Sequence, residues 1–241
     1  MTTIQFRPAM IKTQFVRDLD SMMKTLALLE GDGCMAGISG EAGRGKTYSV
    51  MAKAAQVNGV YMRAQYIWRG SELEFVHGLC RALDMAQIPS RKGTCYLAAV
   101  DKLANSNRPV FIDEMQRLPK GFLNIALDLA DSTGCHVVLV GEPELKGMMQ
   151  ENKRVWSRTY QFLEPQPITI QDVLFYALET SGVKLPMPAA TILLQKSGGD
   201  FRLVKRAMVA LVQHLRARGN GDIVTEEMAR IAADAGLKGK K

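Results

Sequence analysis

The chain has 241 residues, 47% of them hydrophobic, enough to bury the core of one α/β domain with a small appendage. No apolar run approaches the roughly 18 residues that span a bilayer, and Met1-Thr2-Thr3-Ile4-Gln5-Phe6-Arg7 lacks the charged-then-apolar layout of a secretory signal. A cytoplasmic protein without a membrane partner is therefore expected. With 31 Lys and Arg against 24 Asp and Glu the net charge is +7, which attracts polyanions, nucleic acid first and anionic membrane second.

Residues 13–30 carry Phe15, Leu19, Met22, Met23, Leu26 and Leu29 at helical spacing, so a helix leads into the first strand, Cys34 to Ile38. Directly after it, Gly40-Glu41-Ala42-Gly43-Arg44-Gly45-Lys46-Thr47 fills every fixed position of the phosphate-cradling loop G-x-x-x-x-G-K-[ST]. Such glycines let backbone N–H groups curl around phosphates, a lysine such as Lys46 reaches the β and γ oxygens, and a hydroxyl such as Thr47 takes a place on Mg²⁺. The nucleotide set is Gly40 to Thr47 together with the following Tyr48. Thr47 to Val57 then reads as a helix, with Met51, Ala54 and Ala55 suited to pack on a sheet.

Further along, Val60 to Ala64 reads as a strand, Leu73 to Leu83 and Cys95 to Asn105 as helices, and Pro89-Ser90-Arg91-Lys92-Gly93 as a loop between them. Val110-Phe111-Ile112 is a short buried strand ending in Asp113-Glu114, Leu123 to Asp131 a helix, and Cys135 to Val140 a further strand. This alternation predicts an α/β fold with a parallel sheet covered on both faces, a P-loop NTPase core over 1–167 that includes the N-terminal helix. Beyond Pro165-Gln166-Pro167 nothing reads as a strand. Thr169 to Leu178, opened by a capping box at Thr169 and Asp172, and then Pro188 to Lys196, Asp200 to Arg216 and Thr225 to Ala235 form a helical subdomain over 168–241. The tail Lys238-Gly239-Lys240-Lys241 is expected to be solvated. Cys34, Cys80, Cys95 and Cys135 have no metal-ligand spacing and are expected as buried thiols.

The strand ending in Asp113-Glu114 delivers two carboxylates to the C-terminal edge of the sheet, where the glycine loop also lies. This is the Walker B pattern: Asp113 would hold Mg²⁺ and Glu114 would polarise the attacking water. Phosphoryl transfer also needs positive charge on the transition state. Arg202 in Gly199-Asp200-Phe201-Arg202 is one candidate, and Arg154 and Arg158, ahead of the last strand, could reach a neighbouring subunit's site.

Together these motifs resemble the AAA+ ATPases: Walker A at 40–47, Walker B at 110–114, trans-acting arginines at 154 and 158, and a lid carrying a G-x-x-R element at 199–202. The compact lid and Val137-Val138-Leu139-Val140-Gly141-Glu142-Pro143-Glu144-Leu145 are similar to the transposition regulators, the group of MuB, TnsC and TniB. That resemblance implies ATP and Mg²⁺ as cofactors, ATP-dependent self-assembly into filaments on double-stranded DNA without sequence preference, and stimulation of a partner transposase. The chain departs from MuB in having too few residues before the loop for an N-terminal helix-turn-helix. It departs from AAA+ enzymes generally where Gly141-Glu142 stands in place of a small polar residue after the fourth strand. A carboxylate there implies slow hydrolysis, with turnover below about 10 s⁻¹.

With no dedicated DNA module, the core must supply the phosphate contacts. Candidates are Arg63, Trp68 and Arg69 around the second strand, Arg91 and Lys92 in the 89–93 loop, and Arg117 and Lys120 after Walker B. Two other functions stay open: a helicase loader, and an ATPase acting on protein partners in secretion.

Overall fold

The computed structural model describes residues 4–29, 31–104, 106–219 and 223–237; the C-terminal lysine tail lies outside them. The chain divides into two compact units.

The first unit comprises residues 16–41 and 46–165 and is built on a five-stranded parallel sheet. Its strands are β1 (Met35–Ser39), β2 (Val60–Arg63), β3 (Val110–Asp113), β4 (Val137–Gly141) and β5 (Thr159–Leu163), in spatial order β2-β3-β4-β1-β5. Every residue of β1, β3 and β4 is buried, whereas β2 and β5 are only partly buried. Continuous apolar runs therefore occupy the centre, covered on both faces, and the two strands with mixed composition take the edges. Gly37 is where β1 must pass an aromatic ring, since a Cβ there would lie 2.3 Å from the Phe162 ring.

Helices α1 (Gln14–Ala27), α2 (Lys46–Gln56), α3 (Glu72–Ala82), α4 (Lys92–Leu103), α5 (Phe122–Thr133), α6 (Glu144–Glu151) and α7 (Lys153–Arg158) flank or connect these strands. Three details differ from the sequence expectation. Helix α2 buries Lys46, Ser49, Val50, Lys53 and Ala54 and turns Met51 and Ala55 outward. Of the expected residues Ala54 packs inward, while Met51 and Ala55 do not, because the buried stripe also takes Lys53, whose ammonium pairs with Asp20 while its stem packs. Lys92 and Gly93 open α4 instead of closing the preceding loop. The short helices α6 and α7 were not anticipated. Cys80, Cys95 and Cys135 are buried thiols as expected, while Cys34 is half-buried ahead of β1.

The second unit takes the described parts of residues 1–15 and 166–241 together with the loop tip Ala42–Gly45. It contains α8 (Ile170–Ser181), α9 (Met187–Ser197), α10 (Phe201–Ala217) and α11 (Glu226–Leu237). The Thr169–Asp172 capping box opens α8, and the Asp200 carboxylate caps α10 by accepting from the Arg202 N–H. Tyr176, Val204, Met208, Leu211 and Met228 are among its core residues, and Phe6 and Phe201 pack edge-on to the Tyr176 ring. No helix among the described residues is long and apolar enough to cross a membrane.

Candidate functional site

Parallel strands deliver their carboxyl ends to one edge of the sheet, and Ser39, Arg63, Asp113 and Gly141 all lie along it. Arg63 is in register with Asp113, and Ser39 with Gly141. The glycine loop leaves this edge from β1, between β4 and β5. Gly43 and Gly45 have φ of +82° and +83°, a region that only glycine enters freely. These two positions let successive N–H groups turn inward, the arrangement that binds an anion.

Lys46 opens α2 with its side chain nearly buried, and its ammonium donates to the Gly40 and Glu41 carbonyls, the latter at 2.8 Å. Burial pulls its pKa below the ordinary lysine value, opposed by the charges of Glu142, Asp113, Glu114 and Glu41. A carboxylate at position 142 therefore helps to keep Lys46 charged. The Glu142 backbone carbonyl accepts from Ser39 Oγ at 2.9 Å.

Thr47 and Asp113 meet directly: Thr47 Oγ1 donates to Asp113 Oδ2 at 2.7 Å, although 66 residues separate them. Tyr61, on β2, donates its hydroxyl to the same oxygen at 2.9 Å, and the Glu114 N–H donates to Oδ1. Burial and the neighbouring Asp113 push the Tyr61 phenol well above its usual pKa, so it remains a donor. Asp113 is 1% exposed. A buried carboxylate touching a threonine hydroxyl beside a phosphate-binding loop is a hard-oxygen donor set, and these residues fit Mg²⁺ arriving with a triphosphate. Among the described residues no group of three or more His, Cys, Asp or Glu is placed to hold a metal by itself.

Glu114 has φ +60° and ψ +31°, the left-handed region that non-glycine residues seldom adopt. Its carboxylate is clamped from both sides. Arg63 Nη2 lies 2.9 Å from Oε1, Arg117 Nε 3.0 Å from Oε2, and Gln116 Nε2 donates to Oε2 at 2.9 Å. Burial alone would raise the Glu114 pKa; the Arg63 hydrogen bond, the Arg117 charge and the Gln116 amide outweigh it and hold the carboxyl below the ordinary range. Arg63 is shifted upward, chiefly by the same hydrogen bond. Two candidate DNA contacts, Arg63 and Arg117, are thus partners of the candidate base.

The other expected residues are more scattered. Trp68 is corrected: it is 4% exposed, edge-on to Phe75, and its ring fills the notch at Gly78, where a Cβ would lie 2.5 Å away. A ring held on these sides offers no face for a base. Trp68 instead anchors the 3₁₀ turn Tyr66–Gly70, which holds Tyr66 and Ile67 exposed and stacks the Arg69 guanidinium 4.8 Å from the Tyr66 ring centroid. Arg91 is exposed at the N-cap of α4; Lys92 pairs with Glu72, and Lys120 with Glu151. Arg154 and Arg158 are exposed on α7, ahead of edge strand β5, and Arg158 lies 3.6 Å from Asp131. Tyr48 is exposed in the first turn of α2.

In the helical unit, Arg202 is exposed and 3.4 Å from Asp200. The loop tip belongs to this unit through three contacts. The Phe201 N–H donates to the Gly43 carbonyl at 2.9 Å, Arg44 donates to the Gly199 carbonyl at 2.7 Å, and the Asp200 carboxylate lies against Gly43 so closely that a Cβ would sit 2.1 Å from it. Tyr61 and Gln116 are site residues that no motif position marks. A period-two reading of β2 would have found Tyr61, which shares a face with Arg63.

Comparison with known proteins agrees with this geometry. A family model described as an AAA domain matches residues 30–149. The chain is 25% identical over 206 residues to the Mu-like prophage FluMu DNA transposition protein B of Haemophilus influenzae, covering 82% of this chain and 70% of that protein. Among solved structures it is similar to the Aeropyrum pernix ORC2 protein in its ADPNP–ADP complexes, with TM-score 0.69, 18% identity, and 96% and 69% of the two chains covered. It is also similar to the Aeropyrum pernix ORC1 protein in complex with DNA, with TM-score 0.61, 17% identity, and coverage of 93% and 65%. The chain thus resembles the transposition protein B of a Mu-like prophage and has the P-loop fold of the AAA+ NTPases.

Proposed function

We propose that this chain is an ATPase that assembles on double-stranded DNA in its ATP-bound state, marks that DNA as a target and stimulates a partner transposase. The observation that carries the chemistry is the meeting of Thr47, Asp113 and Tyr61 on one carboxylate oxygen beside Lys46, with Glu114 held one residue further along. In this reading Lys46 and the loop N–H groups bind the β- and γ-phosphates, and Thr47 and Asp113 hold Mg²⁺, which neutralises charge on the phosphate oxygens. Glu114 accepts the proton of the attacking water once it is released from Arg63 and Arg117. Arg202, and Arg154 or Arg158 from a neighbouring copy, stabilise the charge that develops on the γ-phosphoryl group. The resemblance to transposition protein B supports the biological role, and its name connects that relative with DNA transposition.

DNA contact is assigned to Arg63, Arg69, Arg91, Lys92, Arg117 and Lys120. The exposed Tyr66 and Ile67 beside Arg69 add apolar surface able to meet bases where phosphates alone give no grip. Restraint of Glu114 by two of these arginines gives DNA a route to the hydrolytic centre: phosphates that draw Arg63 and Arg117 away leave the base free.

Electron microscopy of the protein with duplex DNA, in ATP and in ADP, tests the assignment. Filaments in ATP alone are expected, with Glu114→Gln stabilising them. A particle that stays monomeric and unattached to DNA in either nucleotide refutes it. The fold shared with ORC proteins keeps a replication role, that of a helicase loader, as the second reading. A replicative helicase gene beside this one, in place of a transposase gene, favours that role.

A further inference from the structure

Gln116 lies two residues beyond the candidate base, in the 3₁₀ turn Met115–Arg117. Its Nε2 donates to Glu114 Oε2 at 2.9 Å, whereas its Oε1 is buried and has no hydrogen-bond partner. The opposite amide orientation would set Oε1 against a carboxylate, acceptor facing acceptor, so the unmatched atom is the oxygen. A buried acceptor left without a donor costs about 1–3 kcal/mol, and folds rarely retain one that serves nothing.

The surroundings of that oxygen show what it faces. It lies against Gly141, the last residue of β4, where an added Cβ would be 2.3 Å from it. Gly141 is not at a positive φ, so its backbone does not require glycine; the missing side chain makes room for the amide and for Leu145, whose side chain would lie 3.0 Å from the same Cβ. The Gly141 carbonyl accepts from the N–H of Gly40, the first residue of the glycine loop. The Gln116 amide therefore spans from the base to the strand end that adjoins the phosphate loop. It fills the space into which a polar side chain on β4 would otherwise project.

We propose that Gln116 is a catalytic residue for ATP hydrolysis, its Oε1 accepting a hydrogen bond from the attacking water while its Nε2 holds Glu114. This rests on the ATPase reading above. In the step it serves, a lone pair of the water oxygen forms the bond to Pγ, and the bond from Pγ to the β,γ-bridging oxygen breaks with its electron pair left on ADP. One water proton passes to Glu114; the other stays with the phosphate and is the one directed at Gln116 Oε1.

The experiment compares wild type, Gln116→Ala, and Gln116→Ala combined with Gly141→Asn, which returns an amide to the same space from β4. Single-turnover hydrolysis, binding of a fluorescent ATP analogue and thermal unfolding are measured on each, with and without duplex DNA. Gln116→Ala is expected to lower the hydrolysis rate on the order of tenfold to a hundredfold. Analogue affinity and unfolding temperature should stay close to wild type, and the double variant should recover most of the rate. An unchanged rate in Gln116→Ala overturns the assignment while the ATPase reading stands. A fall in rate matched by the fall in analogue affinity, with no recovery in the double variant, makes Gln116 structural and also overturns it. A wild-type protein that binds the analogue but hydrolyses no ATP removes the ATPase reading, and the role of Gln116 with it.

Discussion

Removing the Arg63 guanidinium tests whether the clamp restrains Glu114 or supports it. The pair is 2.9 Å long, with the Arg63 side chain 51% exposed and that of Glu114 14% exposed. A hydrogen bond between charged groups contributes about 1.5–3 kcal/mol. Solvent on the arginine side screens this, so about 1 kcal/mol is the appropriate figure. If Glu114 must surrender Arg63 before it can take a proton, Arg63→Ala removes that energy from the barrier and raises DNA-free hydrolysis roughly fivefold. The pH profile gives an independent reading. Burial still raises the Glu114 pKa in the variant while one of the groups lowering it is gone, so the pKa moves up. A base works only when ionised, and the acid limb of the rate profile should therefore shift to higher pH. Initial rates at saturating ATP across pH 5–8, in the absence of DNA, measure both effects. A slower variant that binds nucleotide normally would refute the restraint and make Arg63 a support for the base.

Other consequences are more local. Tyr61→Phe removes one donor from a buried carboxylate oxygen and should lower stability by about 2 kcal/mol, or roughly 4–8 °C in unfolding temperature for a chain of this size; an unchanged temperature would show that this hydrogen bond contributes nothing. Gly37→Val inserts atoms into the Phe162 ring and is expected to destabilise by at least about 1–3 kcal/mol in denaturant titration, with failure to accumulate as the extreme outcome. Charge reversal at Arg91 and Lys92 should weaken ATP-dependent DNA binding and flatten its salt dependence while sparing nucleotide affinity. Unaltered DNA affinity removes that segment from the interface.

The glycine loop and the Asp113-Glu114 pair are legible in the sequence because their chemistry is local: particular residue types must occur at particular spacings beside a strand. Strand positions follow equally well, since the central strands are uninterrupted apolar runs. The partners of Glu114 are not legible, because they depend on β2 lying beside β3 with Arg63 in register with Asp113, a pairing across 50 residues that no periodicity encodes. The contact of Gln116 with Gly141 is hidden for the same reason. Trp68 was misplaced because its role is settled by Gly78, a notch that exists only once α3 has formed. On α2, small apolar residues gave no sign that a paired lysine would take the inner stripe.

The tip of the glycine loop is fastened to the start of α10 by two main-chain carbonyls, Gly43 receiving from Phe201 and Gly199 receiving from Arg44. Any rearrangement of that tip around a phosphate must carry the first turn of α10 along or break both links. The loop tip and the first turn of α10 are therefore tied as one piece, and a substitution at Arg44 would cut the tie to Gly199 while the main-chain bond from Phe201 to Gly43 still holds.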